Sequence, residues 1–541
     1  MPPAVTLSLA DAFTQAMAAY EGGRMGEARR LARRLADDHP DFGGVHYLLG
    51  LLALNQTQGR RAADHLARAI AITPGQSALH LAMGQALDLC QNWPEAARHY
   101  RLVLDLIPNH AVAHQLLSQA LHKIGNLADA LTHAEQACQL APHSAESWHQ
   151  AGLLHLEAGQ IFPAINALRH AVSLRPDWAT ALNNFGLALR DAGQLEQAVI
   201  ILQGAVELTS NHAGYITNLA STLRMQGRLH DARHHADRAV RIGPRQVEAW
   251  LELGQIRHLL NLHDAAATAF DRATTLAPQN VAAWYSLAET RRAQGDRDKA
   301  IKAYEKCLEL DPEDRHGAAL GLALAGGHHT PDKAPEAYVR QLFDDYADKF
   351  DHTLTEKLDY CAPQLLDEVL TTLAPRASEW SIIDIGCGTG LAAPMLRHRA
   401  KSLHGIDLSP AMVEKARQRN LYDHLSVGEL VSQLSDQPDR YDLVLAADVL
   451  VYLGDLEPVF QASHRALHPG GLFAFTVERS DETPSYSLGS KQRYAHAAGY
   501  LRQLAGECGY DILHLSPAVT RRDGGHDVPG YVVVLRSLAA E

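Results

Sequence analysis

The sequence is poor in cysteine, in aromatic residues and in long apolar stretches. Six cysteines are scattered over 541 residues, without the CxxC spacing of redox or zinc sites. We therefore expect no disulfide framework, no metal site and a reducing compartment, taken to be the cytoplasm. No uninterrupted run of about 18 apolar residues occurs, and the amino terminus lacks a basic start followed by an apolar stretch. The sequence predicts a protein that is neither exported nor embedded in a membrane.

An excess of basic charge is also absent. The formal net charge is −13 at pH 7, which disfavours electrostatically driven binding to nucleic acid or to anionic lipid. We therefore expect neither nucleic acid nor a membrane among the partners.

A 34-residue period runs through the first 312 residues. Alanine recurs at one register of this period nine times in succession, and glycine or another small residue recurs twelve positions earlier. This pattern indicates pairs of antiparallel helices, with small residues at close helix contacts and proline at the end of each unit. The recurring prolines are Pro40, Pro74, Pro108, Pro142, Pro176, Pro244, Pro278 and Pro312.

This pattern resembles the tetratricopeptide repeat, and the resemblance covers residues 9–314 as nine repeats. It implies an α-solenoid whose concave surface, lined by the first helix of each repeat, holds a protein or peptide. Residues 315–335 are predicted to form a capping helix and a linker.

Basic residues recur at the twelfth position of several repeats, which faces inward in the family resembled. One hypothesis is a basic ladder that contacts an acidic peptide or a C-terminal carboxylate. The alternative is that these side chains are solvated or pair with acids of the chain itself, such as Glu252 and Glu289. The candidate contacts are Arg190, Arg224, His258 and Arg292, with His122 in the same register.

From residue 336 onward, short apolar strands alternate with helical segments. This alternation predicts a mostly parallel sheet with helices on both faces and a ligand at the carboxyl ends of the strands. The predicted strands are residues 381–385, 403–406, 425–427, 441–446, 472–477, 510–515 and 531–535.

A glycine-rich turn follows the first predicted strand. Three alternate glycines stand two residues after Asp384, and they allow positive φ and close approach of a ligand to the backbone. A dinucleotide fingerprint requires a small residue where Leu391 stands, so the spacing GxGxG disfavours that class. Asp407, at the end of the second strand, is suited to accept both hydroxyls of a ribose in either class of cofactor.

The ordered motifs IIDIGCGTGLAA, GIDLSPAMVEKAR, YDLVLAADVLVYLGDL and LHPGGLFAFTVE resemble those of class I methyltransferases that use S-adenosylmethionine. The resemblance covers residues 336–541. More narrowly, the opening LFDDYADKFDHTLTEKLDY and a later segment resemble predicted methyltransferases with tetratricopeptide repeats. The fold implied is an α-solenoid of these repeats followed by an α/β Rossmann-like methyltransferase domain.

The resemblance also implies roles for individual residues. The glycines would bring the backbone against the methionyl and adenosyl groups, Asp384 would face the methionyl amine, and Asp407 would hold the ribose. The adenine would lie near Leu408, Met412 and Glu429, and Asp448 would face the transfer region. The implied cofactor-binding set is Asp384, Gly386, Gly388, Gly390, Asp407, Leu408, Met412, Glu429 and Asp448.

Residues on the acceptor side are harder to assign, because methyl transfer from a sulfonium needs alignment and desolvation more than a strong base. A base is needed for a hydroxyl or ammonium acceptor, and not for a carboxylate or thiolate. The catalytic candidates are Asp448, Tyr452, Tyr494 and His496, and the further acceptor-side candidates are Tyr346, Phe350 and Glu478.

The leading hypothesis is therefore S-adenosylmethionine-dependent methyl transfer, with the repeats recruiting a protein or peptide substrate or a complex. Two alternatives remain open. One is a small-molecule methyltransferase whose repeats serve assembly, and the other is a repeat-based adaptor whose second domain binds cofactor without turnover.

Overall fold

The computed structural model describes residues 8–327, 329–347, 350–351, 354, 358–375, 378–481, 483–523 and 525–539. The chain divides into two compact units, Met1–Glu252 and Leu253–Glu541. The predicted boundaries, with repeats in 9–314, a linker in 315–335 and a second domain in 336–541, stay a prediction, because the second unit also contains the last repeats.

The repeats consist of alternating first and second helices, as predicted. Within the described residues, helices α1 to α18 form nine such pairs. In chain order they are Leu9–Glu21, Met25–Asp38, Gly43–Leu54, Gly59–Ile72, Ser77–Leu89, Trp93–Leu106, Ala111–Ile124, Leu127–Leu140, Ala145–Glu157, Ile161–Leu174, Ala179–Asp191, Leu195–Leu208, Ala213–Met225, Leu229–Ile242, Val247–Leu259, His263–Leu276, Val281–Ala293 and Arg297–Leu310.

The periodic glycines have a packing role. A Cβ on Gly50 would lie 2.7 Å from Leu66 Cγ, and one on Gly186 would lie 2.5 Å from Leu202 Cγ. In the fourth repeat Ser118 takes this position, and its hydroxyl donates a hydrogen bond to the Ala130 carbonyl at 2.7 Å. Small residues recur because the two helices of a repeat approach too closely for a larger side chain.

In the part of the chain that the structure describes, the second unit continues with eight further helices and nine strands. Helices α19 to α26 are Ala318–Leu324, Glu336–Tyr346, Ala362–Leu373, Ala393–Leu396, Pro410–Gln418, Leu430–Ser435, Glu457–Ala466 and Ala498–Glu507. Strands β1 to β9 are Trp380–Ile385, Ala400–Asp407, His424–Val427, Tyr441–Ala446, Leu467–Arg479, Tyr486–Leu488, Tyr494–His496, Tyr510–Asp523 and His526–Ser537. A short 3₁₀ helix covers Leu450–Tyr452.

The strands form one sheet in the order β3-β2-β1-β4-β5, which β9 and β8 extend through antiparallel pairing to β5. The pairs β1/β2, β1/β4, β2/β3 and β4/β5 are parallel. Parallel neighbours bring the carboxyl ends of β1, β2 and β4 to the same edge, where a ligand site is expected.

Both faces of the sheet are apolar and covered by helices. On one face Ile383 and Val444 pack in a cluster with Phe460 and Leu504 from helices α25 and α26. On the other face Ile382 and Leu443 pack with residues of α21 and α22. The predicted α/β class is thereby confirmed, because adjacent residues of β1 are buried on opposite sides.

The short hairpin β6/β7 was not predicted from the sequence. Its strands are three residues long, and β7 pairs in parallel with the end of β5. Strands this short carry too little apolar alternation to be recognised. No helix in the described ranges is long and apolar enough to cross a membrane.

Candidate active site

The glycine turn after β1 has the backbone geometry that its sequence predicts. Gly386, Gly388 and Gly390 have φ values of 67°, 53° and 85°. A Cβ on Gly386 would lie 2.3 Å from the Val449 side chain, whereas one on Gly388 would meet nothing closer than 3.6 Å. The turn needs glycine for its conformation throughout and, at Gly386, for space as well.

Asp407 holds this turn in place from the end of β2. Its Oδ2 accepts a hydrogen bond from the Gly388 amide at 2.8 Å, and its Oδ1 accepts one from the Ser409 amide at 2.9 Å. Burial raises the pKa of the carboxyl, against the effect of these backbone donors. Each oxygen has a second lone pair, so the carboxylate can still accept from ligand hydroxyls.

Asp384 lies behind the turn. Its carboxyl is buried and accepts a hydrogen bond from the Tyr422 hydroxyl at 2.7 Å. Burial raises its pKa to about 7. Asp384 lines a small cavity that also touches Gly386, Gly388 and Phe350, whereas the larger cavity at the strand ends is lined without it.

That larger cavity brings together most of the predicted cofactor residues. Polar side chains reach it from the ends of β2, β3 and β4, from the segment at the start of α20 and from the β6/β7 hairpin. Its apolar lining comes mainly from α20 and the loops after the strands. Of the residues predicted from the sequence, those that line it are Gly386, Gly388, Asp407, Leu408, Glu429, Asp448, Tyr452 and Phe350.

Like Asp384, two further predicted cofactor residues do not line this cavity. Met412 is fully buried in helix α23, and a Cβ on Gly390 would face Tyr422 at 3.0 Å. Glu429 does line the cavity, and its carboxylate also caps α24 by accepting from the Ser432 amide at 2.8 Å.

Asp448 follows β4 with a positive φ of 57°. Its amide donates to Thr476 Oγ1 at 2.9 Å, which fixes this uncommon conformation. Its carboxylate accepts from one arm of the Arg521 guanidinium, and the other arm donates to Glu478. Arg521 lies 73 residues away in sequence on β8, and no spacing signal in the chain could have identified it.

Tyr452 and Arg493 lie next to each other in the cavity wall. Tyr452 is buried, which raises the pKa of its phenol. Arg493, in the turn of the β6/β7 hairpin, lies with its guanidinium 5.8 Å from the centre of the Tyr452 ring. Arg493 was not among the residues predicted from the sequence, because its hairpin was not predicted.

Tyr494 and His496, predicted as catalytic, do not line the cavity. The Tyr494 hydroxyl donates to the Pro331 carbonyl, and His496 Nε2 lies 3.1 Å from the Gly454 carbonyl. Both side chains are fully buried, and burial lowers the pKa of His496 to about 4. Both side chains thus contact loops, and the catalytic role predicted for them stays a prediction. Tyr346 packs edge to face on Phe350 and likewise does not line the cavity.

The segment that connects the last repeat to α20 forms part of the same cavity wall. The Ala334 amide donates to the Tyr452 carbonyl at 2.8 Å, and the Asp332 carbonyl accepts from Gly454 and Asp455. Lys333, Ala334 and Glu336 line the cavity. The predicted linker therefore contributes to the site.

The basic side chains of the repeats bond within the chain. Arg224 makes a two-pronged salt bridge to Glu252 at 2.7 and 3.3 Å, and Arg292 pairs with Glu289 at 2.6 Å. These contacts support the alternative of internal pairing. The remaining partners are Asp191 for Arg190, Glu157 for His122 and the Thr290 hydroxyl for His258.

The cavity fits S-adenosylmethionine. It offers backbone without Cβ atoms at Gly386 and Gly388, a carboxylate for ribose hydroxyls at Asp407 and an apolar wall at Leu408. The described residues hold no group of three or more histidine, cysteine, aspartate or glutamate side chains suited to a metal ion.

Comparison with known families agrees with this geometry. Residues 383–473 match the family described as "Methyltransferase domain". Tetratricopeptide-repeat families match residues 13–77, 145–177, 178–214, 217–281 and 281–314.

Curated relatives are similar to part of the chain. Human Methyltransferase-like protein 27 is 32% identical over 166 residues, which is 30% of this chain and 66% of the relative. The malonyl-[acyl-carrier protein] O-methyltransferase of Serratia marcescens is 32% identical over 18% of this chain and 37% of its own length. The ubiquinone biosynthesis O-methyltransferase of Chelativorans sp. is 32% identical, over 20% of this chain and 45% of the relative. The chain thus spans between 37% and 66% of these relatives.

Solved structures resemble each part separately. YrrB, a TPR protein with an unusual peptide-binding site, is 20% identical with a TM-score of 0.33, over 35% of this chain and 96% of YrrB. The Burkholderia thailandensis 1,6-didemethyltoxoflavin-N1-methyltransferase, solved with S-adenosylhomocysteine, is 17% identical with a TM-score of 0.32, over 39% of this chain and 93% of that protein. From the family matches, the chain combines tetratricopeptide repeats with a class I methyltransferase domain.

Proposed function

We propose that this protein transfers a methyl group from S-adenosylmethionine to an acceptor bound in the cavity at the ends of β1, β2 and β4. The observation that carries this proposal is the hydrogen bond from the Gly388 amide to Asp407. This bond holds the glycine turn in a conformation that leaves space for a ligand beside Gly388. Family matches to methyltransferases over the same residues support it.

The cofactor, when bound, supplies an electrophilic methyl group on a positively charged sulfur. The glycine turn would contact its methionyl part, Asp407 would accept from its ribose hydroxyls, and Leu408 would cover its adenine. Glu429 lies at the edge where the exocyclic amine of the adenine is expected. Asp448 and Tyr452 would border the transferable methyl group.

The chain's own residues contribute positioning and exclusion of water. Phe343, Phe350 and Leu354 form an apolar wall opposite the strand ends. Such a wall favours a reaction in which charge is dispersed in the transition state. Arg521 holds Asp448 in one orientation, so the acceptor side is formed before a ligand arrives.

The repeats are proposed to recruit a protein or peptide that carries the acceptor, or a complex that contains it. This rests on the paired-helix architecture, which presents extended surfaces for protein binding in repeat proteins generally. The proposed contacts of Arg190, Arg224, His258 and Arg292 stay a prediction, and their internal pairing means that a partner must displace or share those bonds. A small-molecule acceptor, as in the names of the O-methyltransferase relatives, is the second candidate.

The test uses full-length protein, S-adenosylmethionine labelled on the methyl group and a cell extract. We expect label in the protein fraction, and loss of that label when the Gly386→Ala variant replaces the wild type. Label confined to small molecules would contradict recruitment of a protein substrate and would favour a small-molecule acceptor. Failure of folded wild-type protein to bind the cofactor would overturn the proposal.

A further inference from the structure

The carboxylates that line the cavity are already bonded. Asp407 accepts from two backbone amides, and Glu429 caps α24. Asp448 accepts from Arg521, and Glu336 pairs with Lys333 at 2.7 Å. A carboxylate that took a proton from an acceptor would weaken the bonds that it already makes.

No other residue of the described lining replaces them as a base. Among the described residues that surround the cavity there is no histidine or cysteine. Burial raises the pKa of the Tyr360 and Tyr452 phenols, so both are protonated near neutral pH. His496 is turned away, toward the Gly454 carbonyl. The described lining therefore offers no free base to an acceptor that must lose a proton in the reaction.

The Arg493 guanidinium, in contrast, has N–H donors that are available to a ligand. Its guanidinium lines the cavity and is about three-quarters covered, with 28% of the side chain exposed. It hydrogen-bonds to the Tyr452 phenol, and Asp448 and Asp523 act on it through their charge. Glu478 Oε1 lies 3.8 Å from it, beyond hydrogen-bond distance. Glu478 itself already accepts from Arg521. A guanidinium carries five N–H donors in a planar fork that matches a carboxylate.

We infer that the acceptor is a carboxylate, held by Arg493 on the acceptor side of the cavity beside Tyr452. This assignment rests on the proposed methyl transfer and names its substrate class. A carboxylate reaches the site already ionised. A carbon–oxygen bond forms to the methyl group as the methyl–sulfur bond breaks, and the sulfur keeps that electron pair. The products are a methyl ester and S-adenosylhomocysteine, and no proton moves.

The test asks what kind of bond the transferred methyl makes. Full-length protein is incubated with tritiated-methyl S-adenosylmethionine and a cell extract, and the products are treated with mild base. Methyl esters release volatile methanol, whereas ethers and methylamines do not. We expect most of the label to become volatile. Separation of protein from small molecules before the base step shows whether the carboxylate belongs to a polypeptide or to a metabolite.

Variants of Arg493 test the proposed contact. Arg493→Leu should lower transfer at limiting acceptor by about 10- to 100-fold, and Arg493→Lys should retain part of it. Arg479→Leu is the matched control, because Arg479 is 34% exposed, pairs with Asp481 and does not line the cavity. All three should bind S-adenosylhomocysteine like the wild type in calorimetry.

The outcomes separate this inference from the proposed function. Label that resists base, with cofactor binding intact, overturns the carboxylate assignment and leaves methyl transfer standing. Equal activity of Arg493→Leu and Arg479→Leu also overturns it. Bound cofactor without any labelled product, or no cofactor binding by folded protein, contradicts the transferase and the assignment together.

Discussion

The Asp407 carboxylate accepts a hydrogen bond from the Gly388 amide at 2.8 Å and so joins the end of β2 to the turn after β1. The same carboxylate accepts from Ser409 at 2.9 Å, at the start of α23. One side chain therefore sets the backbone of two loops that border the cavity.

Glycine at position 386 is needed for space as well as for conformation. Gly386→Ala should cost about 1–2 kcal/mol of unfolding free energy because of its positive φ, and it should also displace Val449 and weaken cofactor binding. Gly470→Ala is the matched control, because Gly470 has a φ of 86° and open space around its Cβ direction. Denaturant unfolding and calorimetry should show lower stability in both variants and weaker cofactor binding only in Gly386→Ala.

Buried His496 should make stability depend on pH. Burial lowers its pKa from 6.5 to about 4, so between these values the unfolded chain binds more protons than the folded chain. Its contribution, on the order of 3 kcal/mol, is complete above about pH 6.5 and is lost as the pH falls toward 4. Denaturant unfolding of the wild type and His496→Gln at several pH values measures the difference.

The exposed residue His526 provides the control for that series. His526→Gln should keep the pH dependence of the wild type, whereas His496→Gln should flatten it. If the unfolding free energies of the wild type and His496→Gln change in parallel from pH 7 to 4, His496 is not buried in its neutral form.

The salt bridge between Arg224 and Glu252 should contribute to folding. The Glu252 side chain is 9% exposed, and both arms of the pair are formed. A double-mutant cycle with Arg224→Met and Glu252→Gln should give a coupling of about 1–2 kcal/mol in unfolding free energy. The pair Arg228 and Asp231 is more than half exposed, and the same cycle there should give a coupling below about 0.5 kcal/mol. Equal couplings would mean that the Arg224–Glu252 pair stabilises the fold no more than an exposed pair does.

Arg521 should be required for stability, because it neutralises two carboxylates while only 2% exposed. Arg521→Met leaves Asp448 and Glu478 without their cation and should cost about 3–5 kcal/mol. Arg536→Met removes an exposed arginine that pairs with Asp511 and should cost less than about 1 kcal/mol. Thermal unfolding compares the two, and a similar loss in both would show that the buried network is weak.

The repeats and the glycine turn could be predicted because each depends on residues close in sequence. A 34-residue period and a strand followed by alternate glycines are local signals, and the structure has helix pairs and positive φ values where they indicated. Asp407 was also accessible, since it ends the second apolar strand.

The acceptor side could not be predicted in the same way. Arg521 reaches Asp448 from a strand near the carboxyl end, and Arg493 comes from a hairpin whose strands are three residues long. Tyr494 and His496 were assigned to this side by residue type alone, and burial of both side chains in loop contacts was not visible in the sequence. Contacts between short elements that are distant in sequence produce no periodic pattern in the sequence.

Calorimetric titration of the full-length protein with S-adenosylhomocysteine measures whether the cavity binds the cofactor. We expect one site per chain in the wild type, and affinity lower by about 10-fold or more in Asp407→Asn, because the amide cannot accept from both backbone donors and the ribose at once. Asp436→Asn, an exposed substitution at the end of α24, should bind like the wild type. Absence of binding to the folded wild-type chain, or equal affinity in Asp407→Asn, would contradict the account.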